Sequence, residues 1–242
     1  VRLKILIILK HIPNAITSLN LVCGCLAIIS ALNGNLTHAA MLIGAAAILD
    51  FFDGFAARLL KVSGELGKQL DSLADVVSFG VAPGFIFYGI SGQCFGDGFC
   101  INQYLFLLIP VFSALRLAKF NIDTRQSDSF IGVPTPANSI FIGSLPFILQ
   151  YDTYGLTPII TSNYFVIIFP IISAYLLVAE LPLLALKFKN FSWADNKWRF
   201  ILIICCILSI AIFKFAGIAL SIIIYVLISI INNISKQKQH EI

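Results

Sequence analysis

The chain has 242 residues, 59% of them hydrophobic and 12% charged, with a formal net charge of +4. A mean hydropathy of +0.94 excludes an ordinary water-soluble domain and a disordered chain. The basic residues are scattered over the ends of apolar runs and form no single stripe, which excludes a nucleic-acid groove.

In chain order, apolar runs predict eight membrane spans at about 13–33, 36–60, 70–92, 102–121, 137–151, 163–186, 198–213 and 215–232. The expected fold class is all-α, a polytopic membrane helix bundle forming a single domain over 1–242. Its catalytic core is expected at about 13–186, with a C-terminal helix pair at about 198–232. The first run carries Asn14, Thr17 and Asn20 and lacks a small-residue cleavage site, so it is read as a retained span. Placing both termini in the cytoplasm puts every Lys and Arg except Lys214 on that side, as the positive-inside rule requires. The inner membrane is the implied location. A six-span reading keeps the same sidedness. Cys23, Cys25, Cys205 and Cys206 read as packing residues. Cys94 and Cys100 fall in an outer loop where a disulfide can persist.

The second and third spans carry the chemistry. Asp50, Asp53, Gly54, Ala57 and Arg58 fall within roughly 140° of one helix face, and Asp71 and Asp75 lie one turn apart on the next helix. Four uncompensated aspartates in lipid would cost on the order of 10 kcal/mol, so they must be neutralised. A short connection makes the two helices antiparallel neighbours. Oxygen ligands in that number suit Mg2+ or Mn2+, two ions sharing the carboxylates, better than zinc. The bland alternative is a set of helix caps and ion pairs with Arg58, Lys61 and Lys68. Small residues such as Gly54, Ala57 and Gly67 leave room for a nucleotide, although they also serve helix packing. Further on, Arg116 and Lys119 stand about one turn apart and read as a pair for a phosphate or carboxylate, or as cations snorkelling to the interface. Phe130 to Pro136 cannot continue a helix and is expected to shape a substrate loop.

From Asp50 to Asp75 the sequence reads D-x-x-D-G-x-x-A-R, eight residues, then G-x-x-x-D-x-x-x-D. This resembles the full signature of the CDP-alcohol phosphotransferase family, with Asp50, Asp53, Gly54, Ala57, Arg58, Gly67, Asp71 and Asp75 all in place. The flanks over about the first 140 residues resemble the bacterial and archaeal phosphatidylserine synthase branch: Ile12-Pro13-Asn14 with Thr17 and Asn20, Ser78 to Pro83, Arg116 to Asn121, and Phe130 to Pro136.

The resemblance implies an enzyme of phospholipid biosynthesis that transfers a phosphatidyl group from CDP-diacylglycerol to L-serine, yielding phosphatidylserine and CMP. It implies that Asp50, Asp53, Asp71 and Asp75 coordinate the metals and that Asp75 is the general base. Gly54, Ala57, Arg58 and Gly67, with Asn14 and Thr17, would contact the CDP-lipid. Arg116 and Lys119 would bind the acceptor or a phosphate. Homodimers are usual in such a family. Competing readings are the same chemistry with glycerol 3-phosphate or inositol phosphate as acceptor, a cation transporter built on intramembrane carboxylates, and a silent scaffold.

Overall fold

A computed structural model describes residues 2–62, 64–92, 101–123, 129–152, 154–185, 190 and 192–240. Cys94 and Cys100, and the disulfide expected between them, lie outside the described residues. Helix α1 spans Arg2–Leu32 and α2 spans Leu36–Leu60. Helix α3, Glu65–Asp75, runs through a π-helical turn, Val76–Val81, into α4, Ala82–Ser91. A 3-10 turn, Ile101–Leu107, leads into α5, Leu108–Ile122. Strand β1, Ser129–Ile131, precedes α6, Thr135–Tyr151, the short α7, Thr157–Ile160, and α8, Asn163–Val178. Strand β2, Pro182–Leu184, and α9, Trp193–His240, complete the order.

Among the described residues five helical segments are long and apolar enough to cross a membrane: His11–Leu32, Leu36–Leu60, Glu65–Ser91, Tyr104–Ile122 and Asp195–Ser235. The last is folded in two. Lys214 has φ 50° and ψ −121°, and beyond it the chain returns along itself. Ser209 Oγ donates to Gly217 O at 3.1 Å, and Cys206 Sγ meets Ser221 O at 3.8 Å. A side chain at Gly217 would collide with the backbone of Ser209 and Ile210, so only glycine lets the two arms meet there. With α6 and α8, which are shorter at 17 and 16 residues, the bundle has the all-α multi-pass form expected.

The inside-out distribution of side chains follows from lipid as solvent. Leu19, Leu26, Ile48, Phe51, Phe52, Ile207 and Leu208 face outward. The centre mixes small residues at crossings with a few large ones: Ala27, Ala31, Ala39 and Ala46 between α1 and α2, then Phe79, Phe87, Ile109 and Ile142. Phe87, Phe141 and Phe165 stack around Phe169 at centroid distances of 5.1–5.2 Å. The small residues in Ser78-Phe79-Gly80 sit where α1 and α5 press on the π turn. A Cβ at Gly24 would meet Ser78 Cα at 2.9 Å.

Three boundaries differ from the sequence reading. Helix α1 runs unbroken through Pro13, starting well before residue 13. The third span begins at Glu65 instead of 70, because the chain leaves α2 through Lys61 in the left-handed region (φ 53°). The Val62 N–H then closes on Ala57 O at 3.0 Å. The sixth span stops at Val178 instead of 186: Ala179 is extended (ψ 140°), and Pro182 opens a strand. That strand pairs antiparallel with β1, Phe130 opposite Leu183, so of the segment read as a substrate loop Phe130 and Ile131 belong to a two-stranded ribbon and Thr135 and Pro136 already open α6.

Candidate active site

The tight turn between α2 and α3 leaves both helices packed on α1 more than on one another. Between them is a cavity of about 510 Å3. Of the residues singled out in the sequence, Asn14, Thr17, Asp53, Gly54, Ala57, Gly67 and Asp71 line it. No atom lies within 4 Å of where a Cβ on Gly54 would be, so that glycine widens the space directly.

One carboxylate oxygen each from Asp50, Asp53 and Asp71 lies within 4.8 Å of the other two. Asp53 is buried, and Asp50 and Asp71 are half-buried. Thr17 Oγ1, buried on α1, donates to Asp53 Oδ2 at 2.7 Å and so fixes that carboxylate across a helix interface. Asp75 is 9% exposed and lies near Asp50, Asp71 and Asp53. Oδ1 of both Asp71 and Asp75 is buried without a hydrogen-bond partner. Unpaired acidic oxygens at this density carry a large desolvation and repulsion cost, which a bound cation removes. The donors are oxygen only, which fits a hard divalent ion and not zinc.

The pair Arg116 and Lys119 is not brought together. Arg116 is 6% exposed and turned inward, where its Nη1 donates to Thr135 Oγ1 at 3.3 Å and its Nε has no partner. Lys119 is exposed, as interfacial snorkelling predicts. Arg58 is also exposed and is not part of the cavity wall. Sequence reasoning missed His11, Glu65 and Lys68 as cavity walls, because the first and third spans were started too late. It also missed Thr135 as the partner of Arg116. Asn20, fully buried with both amide atoms unpartnered, lies beside Asp75. Its polar character inside an apolar run was the available signal.

The profile of the family described as CDP-alcohol phosphatidyltransferase matches residues 10–186, well over half of the chain. The protein belongs to this family. Its members work with divalent metal ions, and the Asp50, Asp53 and Asp71 cluster is compatible with that. The chain is therefore a multi-pass membrane transferase of phospholipid synthesis. It is 37% identical over 160 residues to the CDP-diacylglycerol--serine O-phosphatidyltransferase of Bacillus subtilis, covering 64% of this chain and 89% of that protein. It is 42% identical over 132 residues to the protein of the same name from Helicobacter pylori, 54% of each chain. Against the archaetidylserine synthase of Methanothermobacter thermautotrophicus it is 35% identical over 136 residues, 55% of this chain and 56% of the other. The match thus takes in most of the Bacillus protein and about half of the other two.

Proposed function

We propose that this transferase moves the phosphatidyl group of CDP-diacylglycerol to the hydroxyl of L-serine, giving phosphatidylserine and CMP, at the cytoplasmic face of the inner membrane. The observation that carries the chemistry is the convergence of Asp50, Asp53 and Asp71, the last two lining the cavity from α2 and α3 beside the small residues Gly54, Ala57, Gly64 and Gly67. The choice of serine rests on the names of the relatives. The inward face and the cytoplasmic termini rest on the Lys and Arg bias.

In this reading Asp50, Asp53, Asp71 and Asp75 hold the divalent ions, two Mg2+ or Mn2+. Bound there, the ions would neutralise the donor diphosphate and stabilise charge on the departing CMP. Asn14, Thr17, Gly54, Ala57 and Gly67 shape the place of the cytidine diphosphate, and Thr17 also orients Asp53. Arg58, at the rim, meets the nucleotide only by swinging in. The serine hydroxyl oxygen bonds to the phosphorus that carries diacylglycerol as the bond from that phosphorus to the CMP oxygen breaks. Asp75 takes the hydroxyl proton, directly or through water, on its unpartnered Oδ1. Arg116 receives the serine carboxylate, and Lys119 serves the interface. The work is done within about 13–186, the pair at about 198–232 lying outside it in the same membrane domain, and a homodimer is expected.

The test is to incubate purified protein with CDP-diacylglycerol, Mg2+ or Mn2+ and, in turn, serine, glycerol 3-phosphate or inositol phosphate, following CMP release and identifying the lipid. Phosphatidylserine from serine alone is expected. Reaction with a phosphorylated acceptor and none with serine would overturn the acceptor and leave the family standing.

A further inference from the structure

The C-terminal hairpin, 193–240, lies outside the residues matched by the family profile, yet it holds β2 through a row of polar side chains on its returning arm, and Arg199 Nε on its first arm donates to Ala185 O, just past β2, at 2.9 Å. Tyr225, Ser229 and Asn233 recur every fourth residue and therefore form one stripe along the returning helix. All three bond to β2. Tyr225 Oη donates to Leu184 O at 3.1 Å, Ser229 Oγ accepts from Leu184 N–H at 3.2 Å, and Asn233 Nδ2 donates to Pro182 O. A three-residue strand has little stability of its own, so bonds from a helix on one side and β1 on the other define where it lies.

From β1 the chain leads in four residues to Thr135, the hydrogen-bond partner of Arg116. The Gly132 N–H bonds to Leu181 O at 3.0 Å and the Val133 N–H to Leu176 O at 2.9 Å, so the link is held at each residue. Pro134 caps α6, and Thr135 in its first turn accepts the bond from Arg116. The guanidinium also stands within electrostatic reach of Tyr225 and of Asp75. It is 6% exposed, holds Thr135 at only 3.3 Å and keeps Nε unpartnered. Such a buried fork is set to take a planar anion, and its direction depends on the few groups that touch it.

We propose that the hairpin is a positioning strap for the acceptor: Tyr225, Ser229 and Asn233 fix the β1–β2 ribbon, and the ribbon, through Thr135, aims Arg116 at the acceptor carboxylate. This rests on the assignment of Arg116 to the acceptor made above. The three stripe residues are positioning residues and touch no substrate.

The test uses the full chain in lipid, with Tyr225→Phe, Ser229→Ala, the two combined, and Ser229→Thr. CMP release is measured against serine at saturating CDP-diacylglycerol and against CDP-diacylglycerol at saturating serine. Loss of one such hydrogen bond, worth about 1 kcal/mol, should raise the KM for serine about fivefold, and more in the combined variant. The KM for CDP-diacylglycerol and kcat should stay within about twofold, and Ser229→Thr, which keeps the oxygen, should restore the wild-type serine KM. An unchanged serine KM would overturn the strap. So would parallel changes in both KM values with a lower melting temperature, which would make the hairpin a mere buttress. If Arg116→Lys leaves serine KM unaltered while the stripe variants raise it, the route through Arg116 is wrong. If the wild-type protein ignores serine and uses another acceptor, the acceptor reading alone falls, and the strap stands or falls on whether the same variants raise the KM for that acceptor.

Discussion

At the end of the bundle where α2 turns into α3, buried polar atoms are left without partners. At the opposite end, where the tip of the C-terminal hairpin meets α6, they are paired or replaced by rings. Nine buried side-chain atoms lack a hydrogen bond among the described residues, and all but Thr157 Oγ1 belong to Asn20, Asp71, Asp75, Ser113, Arg116, Asn138 and Ser139. At the far end Phe147 and Tyr151 stack on Phe215 at 4.7 and 5.4 Å, and Tyr154 Oη donates to Ile212 O at 3.0 Å. A 160 Å3 hollow there is walled mainly by aromatic rings and Lys214. One end gathers unpartnered polar atoms from seven residues, whereas the other leaves the single hydroxyl of Thr157. Site and scaffold are thus separated along the membrane normal, so stability and activity should respond to substitution at opposite ends.

The strongest way to break that comparison is to remove charge at the open end. Chelation of divalent ions should abolish CMP release, with recovery on adding Mg2+ or Mn2+. Asp71→Asn should lower kcat by about a thousandfold. The same substitution relieves like-charge repulsion, so the metal-free variant should melt no lower than the wild type, measured by thermal unfolding in detergent. A large drop in melting temperature would give Asp71 a structural task instead. Next, Thr17→Val removes a charge-assisted bond to Asp53 and should cost about tenfold or more in kcat/KM for CDP-diacylglycerol, again with little change in melting. At the closed end the signs reverse. Phe215→Leu should destabilise by about 1 kcal/mol, read from the melting curve, while the folded fraction keeps its kcat within about twofold. The smallest effect belongs to Asp152, an exposed helix cap whose carboxyl is held below the usual range by the Thr157 N–H. Its contribution is fully present above the ordinary carboxylate value and fades as pH falls through the lowered one, so Asp152→Ala should narrow the difference in melting between pH 6 and pH 3 by a small amount.

The hairpin at the closed end was readable in the sequence, because lipid demands long apolar runs and the break at Lys214 stands between two of them, whereas the ring stack on Phe215 and the short α7 were not. The acidic cluster was readable because four aspartates in such runs have few physical excuses. What failed did so for local reasons. Glu65, Lys68 and Gln69 look like loop, yet they are the first turn and a half of α3, whose Glu65 and Lys68 line the cavity. Arg116 and Lys119, three residues apart, read as a pair with Arg116 the deeper of the two, and the structure separates them, one buried in the bundle and the other exposed. The ribbon was invisible because its strands lie some fifty residues apart and carry three residues each, with no period to detect.

The π-helical turn after Asp75 constrains how this protein can vary. Val76–Val81 accommodates one residue more than an α-helical turn would, and both halves of the span are fixed elsewhere: the upper by its aspartates, the lower by contact with α1 and α5. Losing a single residue between them would rotate one half against the other by roughly 100°, swinging Asp71 and Asp75 toward lipid or Gly80 out of its seat. Descendants of this sequence are therefore free to exchange many side chains along the segment, but its length is under far tighter control than its composition.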